Sequence, residues 1–266
     1  MIILEKNHQE ILDSPTAVDI LGVGIVSITE KNSKLIYSKG ISRSLMNDLI
    51  KLYSFDILEK KEGKIIDLLG IFSVSIHFYS LNKEIIAIFY IVEKDTLTDY
   101  DVMCSTSRKL AQMYCSKASL STINDSCNKL IPSVEGISAL FIVSTSGHTL
   151  FTKIRKDKAT LSENHIQIGG FLSAILMFSN EVIAKNSGDM LQAINFGSQQ
   201  FIISVKEDII FAYLVDLSPK SFSFERYMDL IAEEFLAQFR ASVIDFNGDL
   251  NQFHRFKLVV DKYFCF

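Results

Sequence analysis

The chain has 266 residues and a formal net charge of −4. Apolar residues make up 48% of it and charged residues 22%, which predicts a folded protein with a sizeable core and excludes an intrinsically disordered chain. Lysines and arginines are scattered along the sequence, so nothing in it indicates a nucleic-acid groove or a polybasic membrane patch.

No stretch is long enough to predict a transmembrane helix. Stretches without a charged residue, such as 68–82 and 164–180, fall short of the roughly 20 apolar residues that a membrane span needs. Glu5, Lys6 and Glu10 argue against a secretory signal at the amino terminus. We therefore expect a cytoplasmic protein whose four cysteines are reduced thiols, since no C-x-x-C pair occurs.

The first half of the chain predicts a strand, a second strand, a helix, three strands and two helices. Ser42 or Ser44 can cap the first helix, and a capping box from Thr98 to Asp101 can open the second. Strict alternation over residues 72–79 predicts a strand with one buried face. The predicted strands are 20–28, 35–38, 65–69, 72–79 and 84–93, and the predicted helices are 42–53, 98–118 and 119–131.

A linker at residues 130–136 follows, because Pro132 and Gly136 break any helix there. The order of elements then repeats. The predicted strands are 137–143, 149–154, 190–196, 200–206 and 208–216, and the predicted helices are 160–183, one from Ser221 or Ser223 to about residue 243, and 250–263. The strand at 209–215 shows almost no alternation, so both of its faces should be covered.

The central helix of the second half, residues 160–183, is predicted to begin at a capping box formed by Thr160 and Glu163. Gln167, Ser173, Asn180 and Glu181 are expected on its polar side. A broad apolar stripe should face the sheet, formed by Ile166, Ile168, Phe171, Leu172, Ile175, Leu176, Phe178, Val182 and Ile183. The adjacent Gly169 and Gly170 indicate either a close approach of this helix to the sheet or room for the chain of a partner.

The repeated order indicates an internal duplication. The clearest local echo is between residues 84–92 and 208–216, each of which precedes a polar break and a long helix. We expect two domains, 1–131 and 132–266, each closing its own core.

Motifs that carry chemistry are absent at the spacings that catalysis or metal binding requires. Gly22 and Gly24 lie inside a strand with no third glycine, which favours a bulge or a close backbone contact over a dinucleotide site. Acidic and amide side chains alternate over 245–251 as they do in a calcium loop. The glycine, however, is at the wrong position, and no glutamate stands where the bidentate ligand belongs. The five histidines have no partner at motif spacing. We therefore expect no catalytic residue, no cofactor and no metal.

The plan of both halves resembles the longin domain and is similar to the related roadblock domain. The resemblance is carried by residues 171–178, 189–197, 201–205 and 209–215, an apolar helix followed by an acidic-led short strand, a glycine and a paired hairpin. The second half resembles most the longin domains of subunits of Rab-activating heterodimers. Where that family often has Gly-Pro between its last two strands, this chain has Lys206, Glu207 and Asp208.

The resemblance implies an α+β fold of two tandem longin-like domains, each a five-stranded antiparallel sheet flanked by helices. It also implies a non-enzymatic scaffold that binds a small GTPase, or another longin or roadblock protein, in membrane traffic or signalling. A homodimer and peripheral attachment to a membrane fit the same resemblance. The expected partner-binding surface comprises Leu35, Tyr37, Leu45, Leu49, Thr149, Phe151, Gly169 and Gly170. The alternative function is a small-molecule sensor of the PAS or GAF kind, which requires a cavity with convergent polar groups.

Overall fold

The structure is a computed structural model of the chain, and it describes residues 20–81, 84–94, 99–183, 190–216 and 222–266. The predicted caps at Thr98 and Ser221 lie outside these residues, and the side chain of Ser223 does as well. Within the described ranges, no helix is both long and apolar enough to cross a membrane.

The first half forms one sheet with three helices. Its elements are β1 (Ile20–Ile28), β2 (Ser33–Lys39), α1 (Arg43–Lys60), β3 (Gly63–Leu69), β4 (Phe72–Leu81), β5 (Glu84–Glu93), α2 (Tyr100–Cys115) and α3 (Leu120–Asn128).

The second half forms another sheet in the same order of elements. Its strands are β6 (Ile137–Ser144), β7 (Thr149–Ile154), β8 (Ala193–Phe196), β9 (Gln199–Lys206) and β10 (Ile209–Asp216). Its helices are α4 (Ala159–Glu163), α5 (His165–Phe178), α6 (Phe222–Ile244) and α7 (Lys257–Tyr263). A π-helix at Ser179–Ile183 follows α5, and a 3-10 helix at Leu250–Phe256 precedes α7.

Both sheets are five-stranded and antiparallel, with the orders β2-β1-β5-β4-β3 and β7-β6-β10-β9-β8. The first strand of each half therefore pairs with the last, and the second and third strands lie at opposite edges. This confirms the predicted fold class, because each sheet has helices against it and the order of strands is the same in both halves.

Local signals explain several elements. The Ser42 side chain accepts a hydrogen bond from the backbone N–H of Leu45 at 3.3 Å, so the predicted cap of α1 is confirmed. A Cβ atom added to Gly24 would lie 2.6 Å from the sulfur of Met46, so β1 approaches α1 closely where it has a glycine. Every residue of β10 from Ile209 to Val215 is buried, as its lack of alternation predicts.

Three buried clusters account for the core. One packs α1 against the outer face of the first sheet, and another packs α5 against the outer face of the second. The third joins the inner faces of both sheets to the remaining helices, and its members include Tyr90 of the first half as well as Phe211 and Phe235 of the second. The sequence predicted two cores that close separately, and this shared cluster counts against that prediction. The domain boundary between residues 131 and 132 remains a prediction.

Polar contacts also connect the two halves. The Arg226 guanidinium of the second half donates to the carbonyl oxygens of Leu21 and Gly40 in the first. Within the second half, the backbone N–H of Val134 in the linker donates to the carbonyl of Tyr263 at 2.8 Å. Val134 in addition pairs with Phe264 in an isolated β-bridge. The linker is therefore held by the carboxyl-terminal segment.

The central helix of the second half differs from the prediction. It is broken at Asn164 into α4 and α5, and neither part begins with a side-chain cap, so the predicted capping box does not form. The Asn164 side chain instead donates to the carbonyl of Thr160 at 2.8 Å, a bond by which asparagine competes with the helical backbone. Ser173, predicted on the polar side, is buried and donates to the carbonyl of Thr145.

Two strands also differ from the prediction. The predicted strand at 190–196 is shortened to β8, although the backbone N–H of Ile203 still donates to the carbonyl of Gln192 at 2.8 Å. In β4 the polar residues Ser75 and His77 are buried as well as the apolar ones, because α2 covers the second face of this strand. Alternation alone does not reveal that a helix will cover the polar face.

Candidate partner-binding surface

The outer helices α1 and α5 occupy equivalent places, since each connects the second and third strands of its half. Helix α1 carries both charged and apolar side chains on its outer side, where Leu52 and Phe55 are exposed. Its buried residues follow helical spacing, and charged side chains such as Asp48, Lys51, Asp56 and Glu59 are exposed. The buried residues are Met46, Leu49, Ile50, Tyr53 and Ile57.

Helix α5 has no charged residue on any face, because the run from 164 to 180 contains none. Its contact with the sheet is narrow and comes from Gly169, Leu172, Ser173 and Leu176. A Cβ atom built at Gly169 would overlap the hydroxyl oxygen of Thr149, so this glycine is required by the close approach of the helix to β7. Gly170 has open space around it.

The outward side of α5 exposes four large apolar side chains, and three of them, Ile166, Phe171 and Phe178, were predicted in the buried stripe. Ile166 is 66% exposed, Met177 58%, Phe178 55% and Phe171 41%. They project into solvent because only one side of the helix contacts the sheet.

Phe196 of β8 continues this surface. Its side chain is 48% exposed, and its ring lies 6.3 Å from that of Phe171 and 5.9 Å from the buried ring of Phe201, measured between centroids. We call Ile166, Gly170, Phe171, Met177, Phe178 and Phe196 the α5 surface. It is a continuation of the core to the outside of the molecule.

A helix that is apolar all round is normally buried on all sides. Contiguous exposed apolar patches on soluble proteins are most often sites of interaction with other molecules. The α5 surface therefore has the composition of a contact surface.

The structure places the residues of the predicted surface mostly inside the molecule. Tyr37, Leu49, Thr149, Phe151 and Gly169 are buried, Leu35 is half-buried, and only Leu45 and Gly170 are exposed. It brings Thr149 and Gly169 into contact, and it places Leu35 and Leu49 together in the core under α1. Tyr37 and Phe151 belong to the core shared by the two halves.

The carboxyl-terminal elements pack against side chains of the edge strands β2 and β7, where the prediction placed partners. The Lys262 amine of α7 lies 5.1 Å from the ring centroid of Tyr37. The neighbouring Asp261 accepts a hydrogen bond from Lys153 of β7 at 2.6 Å. In the 3-10 helix, Phe256 packs edge-to-face on Phe151 with centroids 5.5 Å apart. Both predicted edges thus meet the same segment of this chain.

A buried polar cluster lies at this junction. The Lys39 amine is fully buried and donates to the Asn128 side-chain oxygen at 2.5 Å and to the Ser133 hydroxyl at 3.1 Å. Burial lowers the pKa of Lys39 to about 8 and raises the pKa of the neighbouring Cys127 thiol. Lys39 and Cys127 are buried, whereas Asn128 and Ser133 are half-buried. The cluster therefore ties β2 to α3 and to the linker.

Groups that could carry catalysis are sparse. The Ser75 hydroxyl lies 3.2 Å from Nε2 of His77, but both residues are buried under α2. Burial and the nearby Lys64 lower the pKa of His77. Among the described residues, no group of three or more His, Cys, Asp or Glu side chains is arranged to hold a metal.

The residues of the α5 surface other than Gly170 were missed as a site by sequence reasoning. One signal could have found them. The charge-free run from 164 to 180 is too long for the single narrow stripe that contacts a sheet, so part of it had to be exposed or covered by another molecule.

Comparison with known proteins adds little. No protein-family model matches the chain, and no curated protein matches it. Among solved structures it is similar to a Roadblock/LC7 domain from Streptomyces avermitilis, with a TM-score of 0.31 and 10% sequence identity. The match covers 40% of this chain and 87% of that one. A likeness this low supports no inference about what this chain binds.

Proposed function

We propose that this chain is a non-enzymatic scaffold that binds another protein through the α5 surface. The observation that carries the proposal is the exposure of half of a helix with no charged side chain. The equivalent helix α1 bears charges on its outer side, so the fold itself does not require an apolar outer helix.

The partner we propose is a small GTPase or another protein of the longin or roadblock kind, in the regulation of membrane traffic or signalling. This finer statement is supported by the sequence resemblance to longin domains. The two-domain division at residues 131 and 132 belongs to the same proposal and is supported by the repeated order of elements.

Retention of purified small GTPases on the immobilised chain tests the proposal, with each GTPase loaded with GDP or with a GTP analogue. We expect Phe178→Glu to weaken retention at least tenfold, because a carboxylate would lose its hydration in an apolar contact.

Leu258→Glu is the matched control, since Leu258 is 73% exposed on α7 and distant in sequence from α5. Sedimentation of the chain alone, at rising concentration, tests pairing between copies. Retention of no GTPase in either nucleotide state, together with a monomer at all concentrations, would reject the proposed partners. Equal loss with both variants would reject the α5 surface as the site.

A further inference from the structure

A groove at one end of the first sheet lies on a different element from the α5 surface. It has a volume of about 630 Å³, within the range of ligand-binding clefts. It runs between the carboxyl-terminal part of α1 and the ends of β1, β4 and β5.

The floor of the groove is the core under α1. Ile28 and Ile85, which are 0% and 7% exposed, belong to that core, and Leu58 packs against it from the side. Phe55 of α1 forms one wall and is 75% exposed, although it lies among residues that could shelter it. An aromatic wall over an apolar floor provides a place for one large apolar side chain.

The rim is predominantly acidic. Among the described residues that line the groove, the carboxylates of Glu30, Glu59 and Glu84 face one ammonium group, that of Lys61. Glu84 also accepts a hydrogen bond from the Ser27 hydroxyl, so its position is fixed. Glu30 and Glu59 are exposed. The rim therefore attracts positive charge and repels anionic groups such as acidic lipid headgroups.

We propose that this groove binds a peptide segment of another protein in which a large apolar side chain is flanked by lysine or arginine. The apolar side chain lies on Ile28 and Ile85 against Phe55, and the flanking cations lie beside Glu30 and Glu59. This site is separate from the α5 surface, so either proposal can fail without the other.

Fluorescence anisotropy with the full chain tests the proposal, using two labelled eight-residue peptides. One carries Leu-Phe between pairs of arginines, and the other carries Leu-Phe between pairs of glutamates. We expect only the basic peptide to bind, and to bind more weakly as salt is raised from about 0.05 M to about 0.5 M, because salt screens surface charges.

Variants locate the site. Glu30→Gln combined with Glu59→Gln should weaken binding of the basic peptide roughly threefold to tenfold, and Phe55→Ser by roughly tenfold. All three side chains are exposed, so these variants are expected to fold. The matched controls are Glu163→Gln combined with Glu181→Gln, and Leu258→Ser, which change exposed residues elsewhere and should leave binding unchanged.

Equal binding of the acidic and basic peptides would overturn the proposal, as would affinities that the groove variants do not lower. An equal loss with the control variants would also overturn it, since attraction would then come from the net charge of the chain.

Discussion

Helices α1 and α5 occupy the same place in two copies of one plan, and they differ in what lies on their outer sides. Helix α1 buries five side chains and exposes charges alongside the apolar Leu52 and Phe55. Helix α5 buries a narrow strip and exposes four large apolar side chains, Ile166, Phe171, Met177 and Phe178. Both helices pack against their own sheet between the second and third strands, whereas helix α5 carries no charge on its outer side. The difference shows that the shared architecture does not by itself require an outer helix without charges.

The largest expected effect separates the two sides of α5. Leu176→Ala should lower the free energy of unfolding by about 2–5 kcal/mol, because Leu176 is a buried core residue. Met177→Ala, at the next position and exposed, should change it by less than about 0.5 kcal/mol. Urea denaturation of both variants measures this, and similar losses would show that the two sides of α5 are assigned wrongly.

The two adjacent glycines give a second contrast. Gly169→Ala should destabilise the protein by about 1–3 kcal/mol, because the added methyl group would overlap Thr149. Gly170→Ala should stabilise it by about 0.5–1 kcal/mol, because the position is helical and open. Thermal unfolding of the two variants tests the close approach of α5 to β7. A stabilising Gly169→Ala would contradict it.

The inner faces of the two sheets give a third contrast, at buried tyrosines of β5 and β10. The Tyr90 hydroxyl lies 2.9 Å from the Ser107 hydroxyl, whereas the buried Tyr213 hydroxyl has no hydrogen-bond partner within the described part of the chain. Tyr90→Phe should therefore cost about 0.5–1.5 kcal/mol, and Tyr213→Phe should be neutral or stabilising by about 1 kcal/mol. Equal losses in chemical denaturation would mean that the Tyr213 hydroxyl has a partner.

The smallest expected effect is a pH dependence of stability that arises from His77, a residue of the first half. Burial lowers the pKa of His77 in the folded state, while in the unfolded chain it titrates near about 6.5. Below that pH the unfolded state therefore binds more protons than the folded state. The contribution of neutral His77 to the free energy of unfolding is complete above that pH and is lost as the pH falls. His77→Gln should reduce the loss of stability between about pH 7.5 and about pH 5.5. An unchanged pH profile would show that another group is responsible.

Local patterns predicted the strands well, because hydrophobic runs and turns carry their own signals. The paired strands β4 and β5 and the buried strand β10 lie close to the residues expected. The burial of the residues predicted to bind a partner was harder to foresee. Tyr37 and Phe151 lie on edge strands that locally look available, and the segment that covers them is the carboxyl-terminal α7 and the 3-10 helix before it. No local signal shows where a distant helix will pack.

The side of α5 that faces the sheet was also beyond local prediction. With apolar residues all round the helix, its orientation depends on Gly169 fitting against Thr149, which is a contact between separate elements. Period and composition therefore identified a helix but assigned Phe171 and Phe178 to the wrong side.

The central claim is that the outer side of α5 contacts another protein. Methyl NMR of the methionines tests it most directly, because Met177 lies on the α5 surface while Met46 is buried under α1. With the retained GTPase added, or with rising concentration of the chain itself, we predict that the Met177 signal shifts or broadens while that of Met46 does not. Binding that leaves the Met177 signal unchanged would contradict the account.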